Sequence, residues 1–385
     1  MVVSAFEIIA PDVLLSAAES HRILIISDAW HPQVNGVVRT LMTVVQELTA
    51  MGHVVDVIGP DRFRSIPCPT YPDIALSIFP RRRLTQMIEA FRPDALHIAT
   101  EGPLGLAARR WALRTGFGFT TAFHTRFAEY IKARTGLPVR PVYAWLRRFH
   151  SAGQGIMVAA ASLRHELDLR GFRNIRAWSR GVDLGLFRPM AREDWGLPGP
   201  VFIYVGRVAI EKNIEGFLDL DLPGSKVVVG GGPQLVELRR RYPHVLFTGP
   251  RHGEALARAY ASADVFVFPS RTDTFGLVIL EALACGTPVA AFPVTGPKDV
   301  LADADGLVGA VHDDLRLAAL AALKADRSAC RLHAERYSWR ACAETFLSHL
   351  VPVQPGAVQT EPAIPSTAIQ SGNMESANLD PSAPL

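Results

Sequence analysis

Two loops in the second half of the chain carry the residue types that phosphate and sugar chemistry needs. The first is Gly206-Arg207-Val208-Ala209-Ile210-Glu211-Lys212-Asn213, in which a forked guanidinium and a point-like ammonium stand five residues apart. Such a pair can clamp a diphosphate, Arg through paired hydrogen bonds and Lys through concentrated charge. The plain alternative is a solvated loop with a local Glu211–Lys212 pair. The second loop runs over 269–282, where Asp273 precedes Gly276 and Glu281 follows Asp273 by eight residues. Those two acids read either as ligands of hydroxyl groups or as a helix N-cap followed by a surface Glu. Backbone N–H groups around Phe275, Gly276 and Leu277, at a helix start, suit phosphate or sugar oxygens. Gly230-Gly231-Gly232-Pro233 adds a point, centred on Gly231, where missing side chains let the backbone approach a ligand. In the first half, the loop 28–36 ends with Gly36 at a helix start, and the segment 120–126 sets His124 at the end of an apolar run. A lone His there is more often structural than a ligand.

These residues can meet only if the elements that carry them do. The run 23–26 is short, apolar and continuous, which suits a strand buried on both faces. Apolar spacing predicts a helix over 36–51 and a strand over 54–58. The alternation continues through 87–91, 95–98, 104–113 and 117–123. A second series has strands at 201–205, 226–229, 245–247, 265–268 and 289–292, with helices at 213–218, 233–242, 253–262 and 277–285. Alternation of this kind implies α/β architecture with parallel sheets, whose ligands sit at the carboxyl ends of the strands. The chain therefore reads as two doubly wound domains, 1–186 and 187–330, with prolines and glycines clustered near 189–200 between them. Residues 351–385 hold six prolines, three acids, no Lys or Arg and no aromatic residue, so a disordered tail is expected there.

Composition narrows the classes. At 385 residues, 49% apolar and 20% charged, the chain is too long for one compact core and too apolar to be disordered throughout. No stretch approaches the ~18–20 apolar residues of a membrane-spanning helix. Glu7 and Asp12 do not fit a signal peptide. Cys68, Cys285, Cys330 and Cys342 are scattered without a C-x-x-C, against a zinc site or a disulfide framework, so a reducing cytoplasm is expected. The first loop lacks G-x-G-x-x-G and the chain lacks a P-loop, which removes nicotinamide, flavin and Walker-type readings. Residues 1–186 carry 22 Lys+Arg against 15 Asp+Glu, whereas 187–385 carry 18 against 22. That asymmetry fits an anionic ligand or surface on the first half, or simply an arginine-rich composition.

Taken in order, the motifs resemble the retaining glycosyltransferases of family four, over about residues 22–350. The resemblance rests on the loop ending at Gly36, Phe123-His124, Gly206-Arg207 with Glu211-Lys212-Asn213, the glycine run 230–233, and an E-x7-E block. Here that block reads Asp273-x7-Glu281, a shorter acid standing where the family usually has its first Glu. The resemblance implies a GT-B fold, two Rossmann-like domains facing an inter-domain cleft. Residues 1–186 would be the acceptor side, 187–330 the nucleotide-sugar side, and 331–350 a helix crossing back to the first domain. Arg207 and Lys212 would neutralise the departing diphosphate without a metal ion. Gly36, Gly231 and the amides of Phe275, Gly276 and Leu277 would seat the donor. Glu281 would hold the ribose, and Asp273 and His124 the transferred sugar. Configuration would be retained, with no protein nucleophile and no cofactor beyond the nucleotide-sugar substrate.

The segments 80–84 and 121–130 look like the branch that contains sulfoquinovosyl- and glycosyl-diacylglycerol synthases and GDP-mannose-dependent mannosyltransferases. This leads to the expectation that a hexose or uronic acid passes from a UDP-sugar to a membrane lipid, diacylglycerol or a glycolipid, with GDP-mannose the rival donor. An NDP-sugar epimerase of the same architecture and a non-catalytic sugar-nucleotide-binding protein are the alternatives of other classes. The order of Arg207, Lys212 and Asp273-x7-Glu281 favours transfer. Arg81, Arg82 and Arg83 beside Ile78 and Phe79, with Arg147, Arg148 and Phe149 on a nearby helix, either meet an anionic membrane or are ordinary surface residues. The expected place is the inner face of the cytoplasmic membrane, peripherally bound, with no nucleic-acid partner.

Overall fold

The computed structural model describes residues 19–353 apart from 34, 69, 70, 137, 272, 274 and 305, and not the side chains of 71–73, 130, 133–135 and 303. Of the tail expected over 351–385, the part from 354 on lies outside the described residues. Its first three residues are tied to the first domain: Pro352 bridges Ala95, and the Val353 N–H donates to the Asp94 carbonyl at 2.8 Å.

The first domain holds β1 (Arg22–Ile26), β2 (Val54–Ile58), β3 (Ser65–Cys68), β4 (Tyr71–Ser77), β5 (Ala95–Ile98), β6 (Thr120–Ala122), β7 (Gly155–Val158) and β8 (Ile175–Ala177). Its helices are α1 (Gly36–Ala50), α2 (Arg81–Phe91), α3 (Pro103–Thr115), α4 (Phe127–Thr135), α5 (Val139–His150) and α6 (Ala161–Leu169). The second domain holds β9 (Val201–Val205), β10 (Ser225–Val229), β11 (Leu246–Gly249), β12 (Val265–Phe268), β13 (Val289–Ala291) and β14 (Gly309–Val311). Around them lie α7 (Glu215–Leu218), α8 (Leu235–Arg241), α9 (Gly253–Ser262), α10 (Leu277–Ala284), α11 (Pro297–Leu301), α12 (Leu315–Ala322) and α13 (Arg327–Ala334), followed by α14 (Trp339–His349).

Both main sheets are parallel, in the orders β2-β1-β5-β6-β7-β8 and β11-β10-β9-β12-β13-β14; β3 and β4 form a separate antiparallel hairpin. Helices cover both faces, so the central strands are apolar throughout: Ile23 to Ile26 and Phe202 to Val205 are all buried. The order reverses between β1 and β5 in one sheet and between β9 and β12 in the other. At such switch points the loops leave in opposite directions and open a crevice beyond the strand ends. The loops after β1, β9 and β12 are therefore the ones that border a ligand.

Two segments join the domains. Before β9 the chain passes through Ser179 to Val182, and it returns through Tyr337 to Trp339 into α14. The Val182 N–H donates to the Tyr337 carbonyl at 3.1 Å. A Cβ on Gly181 would collide with the Trp339 backbone, so only glycine lets the two segments cross this closely. α14 then packs in the first domain's core, where Phe346 and Leu347 join Ile23, Ile25 and Trp178. The Trp178 indole N–H donates to the Cys342 carbonyl at 3.1 Å and Arg176 donates to the His349 carbonyl at 2.9 Å.

Among the expected elements that differ, α2 starts six residues before the expected 87 and two others bear on the site. The strand expected over 117–123 shrinks to β6, since the chain turns away to present His124. The helix expected over 213–218 is broken at Asn213, which adopts φ 52° between a 3-10 turn (Ile210–Lys212) and the single turn α7. Asn213 tolerates that conformation, and its side-chain N–H donates to the Pro269 carbonyl at 3.0 Å, joining the loops after β9 and β12.

Candidate functional site

At the second domain's switch point the loops after β9 and β12 lie side by side, because β9 and β12 are hydrogen-bonded neighbours. Gly206 leaves β9 at φ 152°, and the Tyr204 hydroxyl donates to the Arg207 carbonyl at 2.7 Å, fixing the turn that presents the half-buried Arg207. Lys212 Nζ lies 2.5 Å from Asp273 Oδ1. The two chemistry-bearing loops thus meet through opposite charges, and Lys212 reaches beyond its neighbour Glu211. Asp273 is not an N-cap. α10 starts at Leu277 from Gly276, at φ 84°, and among the described residues no side chain caps its first N–H groups. A Cβ at Gly276 would stand 3.0 Å from Ile279 and 3.1 Å from Phe268. Phe275 is buried, its ring edge-on to Tyr337 with centroids 6.4 Å apart, so the backbone at 275–277 is held by packing on one side.

The glycine run serves a different purpose at each position. A Cβ on Gly230 would collide with the Gly206 carbonyl and one on Gly232 with that of Val208, so these two let the loops after β9 and β10 pack closely. A Cβ on Gly231 would meet only the Pro250 ring, at 3.8 Å. The Gly231 carbonyl accepts from the Val208 N–H at 2.9 Å.

Across the cleft, α1 begins opposite α10: a Cβ on Gly36 would stand 4.0 Å from Leu277 Cδ1. Asn35 caps α1 by accepting from the Val37 and Val38 N–H groups, both at 3.0 Å. One turn later Arg39 forms an ion pair with Glu281 and lies over the Phe187 ring, 5.7 Å from its centroid. The Glu281 side chain is only 3% exposed and Arg39 is 46% exposed. The Tyr260 hydroxyl donates to Glu281 Oε2 at 3.1 Å. Burial raises the Glu281 pKa above the ordinary carboxylate value, against the lowering effects of Arg39 and Tyr260. Glu281 is therefore a buried acceptor rather than a surface Glu. The sequence reading missed Arg39 and Tyr260; the only signal was that Arg39 shares a helix face with Gly36.

Further polar contacts span the cleft. One Arg126 nitrogen donates to Glu166 at 2.6 Å and to the Thr295 hydroxyl at 2.7 Å. The Asp299 carboxylate accepts from the Ser162 N–H and hydroxyl, both at 2.9 Å. Since α6 has no side-chain cap of its own, this carboxylate from the other domain supplies one.

His124 sits two residues beyond β6, beside the inter-domain crossing. Arg180 NH2 approaches its Nδ1 at 3.2 Å, and the ring meets Trp178 edge-on with centroids 5.6 Å apart. Burial first, then the Arg180 charge, pushes the His124 pKa well below 6.5, so the ring is neutral. Asp28 has another duty. Its buried carboxylate accepts from the Leu104 N–H at 2.8 Å, the Gly105 N–H at 3.2 Å and the Thr100 hydroxyl at 2.9 Å, which anchors the first loop to the start of α3. Phe149, expected on a surface patch, is buried in the first domain's core, because it lies on the inward face of α5 while Arg147 and Arg148 point outward. Among the described residues, no helix is long and apolar enough to cross a membrane.

Comparison with known proteins bears on this geometry. Residues 34–186 match the family model described as Glycosyltransferase Family 4, and 199–324 match Glycosyl transferases group 1. A GDP-mannose-dependent alpha-mannosyltransferase of Mycolicibacterium smegmatis is 33% identical over 312 residues, covering 73% of this chain and 82% of that protein. The alpha-monoglucosyldiacylglycerol synthase of Streptococcus pneumoniae is 28% identical over 311 residues, covering 70% of each. Among solved structures, sucrose-phosphate synthase from Thermosynechococcus elongatus superposes with a TM-score of 0.65 at 23% identity, covering 84% of this chain and 96% of that one, a likeness of the GT-B fold.

Proposed function

Given that this chain belongs to glycosyltransferase family 4, we propose that it moves a hexosyl group from a nucleoside diphosphate sugar to a membrane lipid, with retention of configuration and without a metal ion. The observation that carries this reading is the Lys212–Asp273 contact at 2.5 Å, which joins a diphosphate-type cation to a sugar-type carboxylate at one switch point. In the reaction the bond from the anomeric carbon to the diphosphate oxygen breaks, and the acceptor hydroxyl oxygen bonds to that carbon on the same face. The hydroxyl proton passes to the departing phosphate oxygen. Arg207 and Lys212 stabilise the charge that develops on the leaving group, through fixed cations that need no rearrangement at the transition state. The N–H groups at 276 and 277, with Gly36 opposite, receive further oxygens. Glu281 accepts from the ribose hydroxyls, while Asp273 and His124 orient the transferred sugar. No side chain is assigned as nucleophile.

The more similar of the two relatives quoted above carries GDP-mannose in its name, which favours that donor over the UDP-hexose or UDP-uronic acid put first on sequence grounds. The other relative's name supports a diacylglycerol-type acceptor. An exposed cationic and apolar face supports this reading. Phe79, 94% exposed at φ 49°, precedes Arg81, Arg82 and Arg83 at the start of α2. On neighbouring α3, Arg110 and Arg114 lie close enough to lower the Arg81 pKa by repulsion, and Leu106 and Leu113 are exposed. Clustered cations with apolar tips suit an anionic bilayer, here the inner face of the cytoplasmic membrane.

The test is to incubate the protein with GDP- and UDP-sugars and a lipid extract, with and without EDTA, and to weigh the products and read their anomeric configuration by NMR. A lipid heavier by one hexose in the α configuration, EDTA or not, is expected. Sugar isomerised without acceptor would replace the proposal with epimerase activity, and no turnover of any donor would leave a binding protein.

A further inference from the structure

Arg180 is 6% exposed, yet its described partners are all neutral. NH1 donates to the Trp178 carbonyl at 2.9 Å and the Ser179 carbonyl at 3.0 Å, the guanidinium lies 4.3 Å from the Trp178 ring centroid, and NH2 faces His124 Nδ1 at 3.2 Å. Among the described residues no carboxylate pairs with it. A buried cation without a counter-ion is costly, and packing alone does not account for keeping it. A guanidinium has donors and no acceptor, so the nitrogen it faces has to be an acceptor.

We propose that Arg180 is a positioning residue that fixes His124 in the neutral Nε2–H tautomer, so that the imidazole meets a ligand oxygen as a donor only. A second proton would go to Nδ1 and set two cations 3.2 Å apart inside the protein. Three other titratable groups lie around this position. His97 on β5 is fully buried, with Nδ1 2.9 Å from the Thr120 hydroxyl and its pKa pushed down to about 3 by burial and by Arg180. His150 on α5 bonds to the Thr121 hydroxyl at 2.9 Å and to Glu101 at 3.1 Å, leaving that carboxylate one ring away. Cys342 on α14 donates its thiol to the Ser179 carbonyl at 3.2 Å, and burial keeps it protonated. Burial also lowers Arg180, to about 10, which leaves it charged at neutral pH. A donor-only imidazole recognises a hydroxyl or phosphate oxygen through a lone pair and cannot act as a general base through Nε2. The consequence for sugar binding rests on the reading of His124 as a sugar ligand; the tautomer itself does not.

The experiment is imidazole ¹⁵N NMR of the full chain without substrate, from pH 5.5 to 8, with His124 assigned by its loss in H124N. In the wild type, His124 is expected to show Nε2–H alone and no titration. R180K, which keeps a cationic donor, should retain both properties. R180Q, an uncharged donor, should keep the tautomer, whereas R180M, which has no donor, should release it so that Nδ1–H becomes populated, with burial keeping the ring neutral in both. Far-UV circular dichroism confirms that each variant folds. A wild-type His124 that carries its proton on Nδ1, or one that stays wholly Nε2–H in R180M, overturns the proposal. If the tautomer is as stated but H124N transfers sugar at the wild-type rate, the sugar-ligand reading fails while the hold exerted by Arg180 stands.

Discussion

Replacing Glu281 by Gln should separate stability from binding. In the folded chain the Glu281 pKa lies above its ordinary value, so folding takes up a proton there more readily than the unfolded chain does. Its contribution is fully present below the unfolded pKa of about 4.5 and is lost as pH rises through the folded value. At neutral pH the buried charge therefore works against folding. Gln keeps the shape and an oxygen for the Tyr260 hydroxyl. The Arg39 partner is 46% exposed, so water replaces the lost charge at little cost. E281Q should be at least as stable as the wild type in urea at pH 7.5, and any gain should vanish by pH 4. Ala instead strands the buried Tyr260 hydroxyl, at a cost of about 1–3 kcal/mol. Ribose hydroxyls bonded to a charged acceptor contribute about 1.5–3 kcal/mol, so E281Q should weaken GDP or UDP roughly 10- to 150-fold in calorimetric titration. A variant that binds nucleotide like the wild type refutes the ribose role. One less stable by more than ~1 kcal/mol at pH 7.5 refutes the burial argument.

Arg207→Ala and Lys212→Ala should each raise the barrier by about 2–4 kcal/mol, read as kcat at saturating donor; a wild-type kcat in either removes the diphosphate assignment. Asp299→Ala removes the cap that α6 borrows across the cleft, and should cost about 0.5–2 kcal/mol with faster amide exchange at Ser162. Unchanged exchange there would mean that the two domains do not hold this contact in solution. Changing Arg81, Arg82 and Arg83 together to Ser should weaken co-sedimentation with anionic vesicles, with the largest difference at low salt. Equal binding by the variant at every salt concentration would make that face ordinary surface.

Most of the legible strands are buried on both faces: Ala95–Ile98, Val201–Val205 and Val265–Phe268 have the expected bounds and are buried at every position. The edge strand Val54–Ile58 also has its expected bounds, although Val54 is exposed and Asp56 interrupts the apolar run. β8 (Ile175–Ala177) and β14 (Gly309–Val311) went unread because three-residue edge strands with an Arg or a Gly have no run to see. In the site, loop membership was readable, since Gly206 follows directly on β9 and Gly276 ends the loop before α10. Partnership was not. Arg39 and Glu281 are 242 positions apart and meet only because α1 and α10 face one another, which is a property of domain packing and leaves no trace in local spacing. Gly231 shows a subtler limit. A triple glycine signals close approach, but only the structure tells that its neighbours serve loop packing.

Asp273 illustrates how a departure from a family pattern can be absorbed. A carboxylate one methylene shorter than Glu reaches less far from its own backbone, yet Lys212 crosses to it from the other loop, and Asn213 ties that loop to Pro269. The same geometry constrains what binding must do. Lys212, Arg39 and Arg126 are each paired, with Asp273, Glu281, and both Glu166 and Thr295. A diphosphate that reaches Lys212 therefore competes with a carboxylate already in contact, and a ribose that reaches Glu281 competes with Arg39. On the proposed reading these pairs set a threshold: only an anion with more than one charge and a sugar with the right hydroxyls would exchange both at once. Inorganic phosphate offers the first exchange but not the second. On that reading, specificity for the whole donor would follow from two simultaneous substitutions in one cleft, with no need for any single contact to be strong.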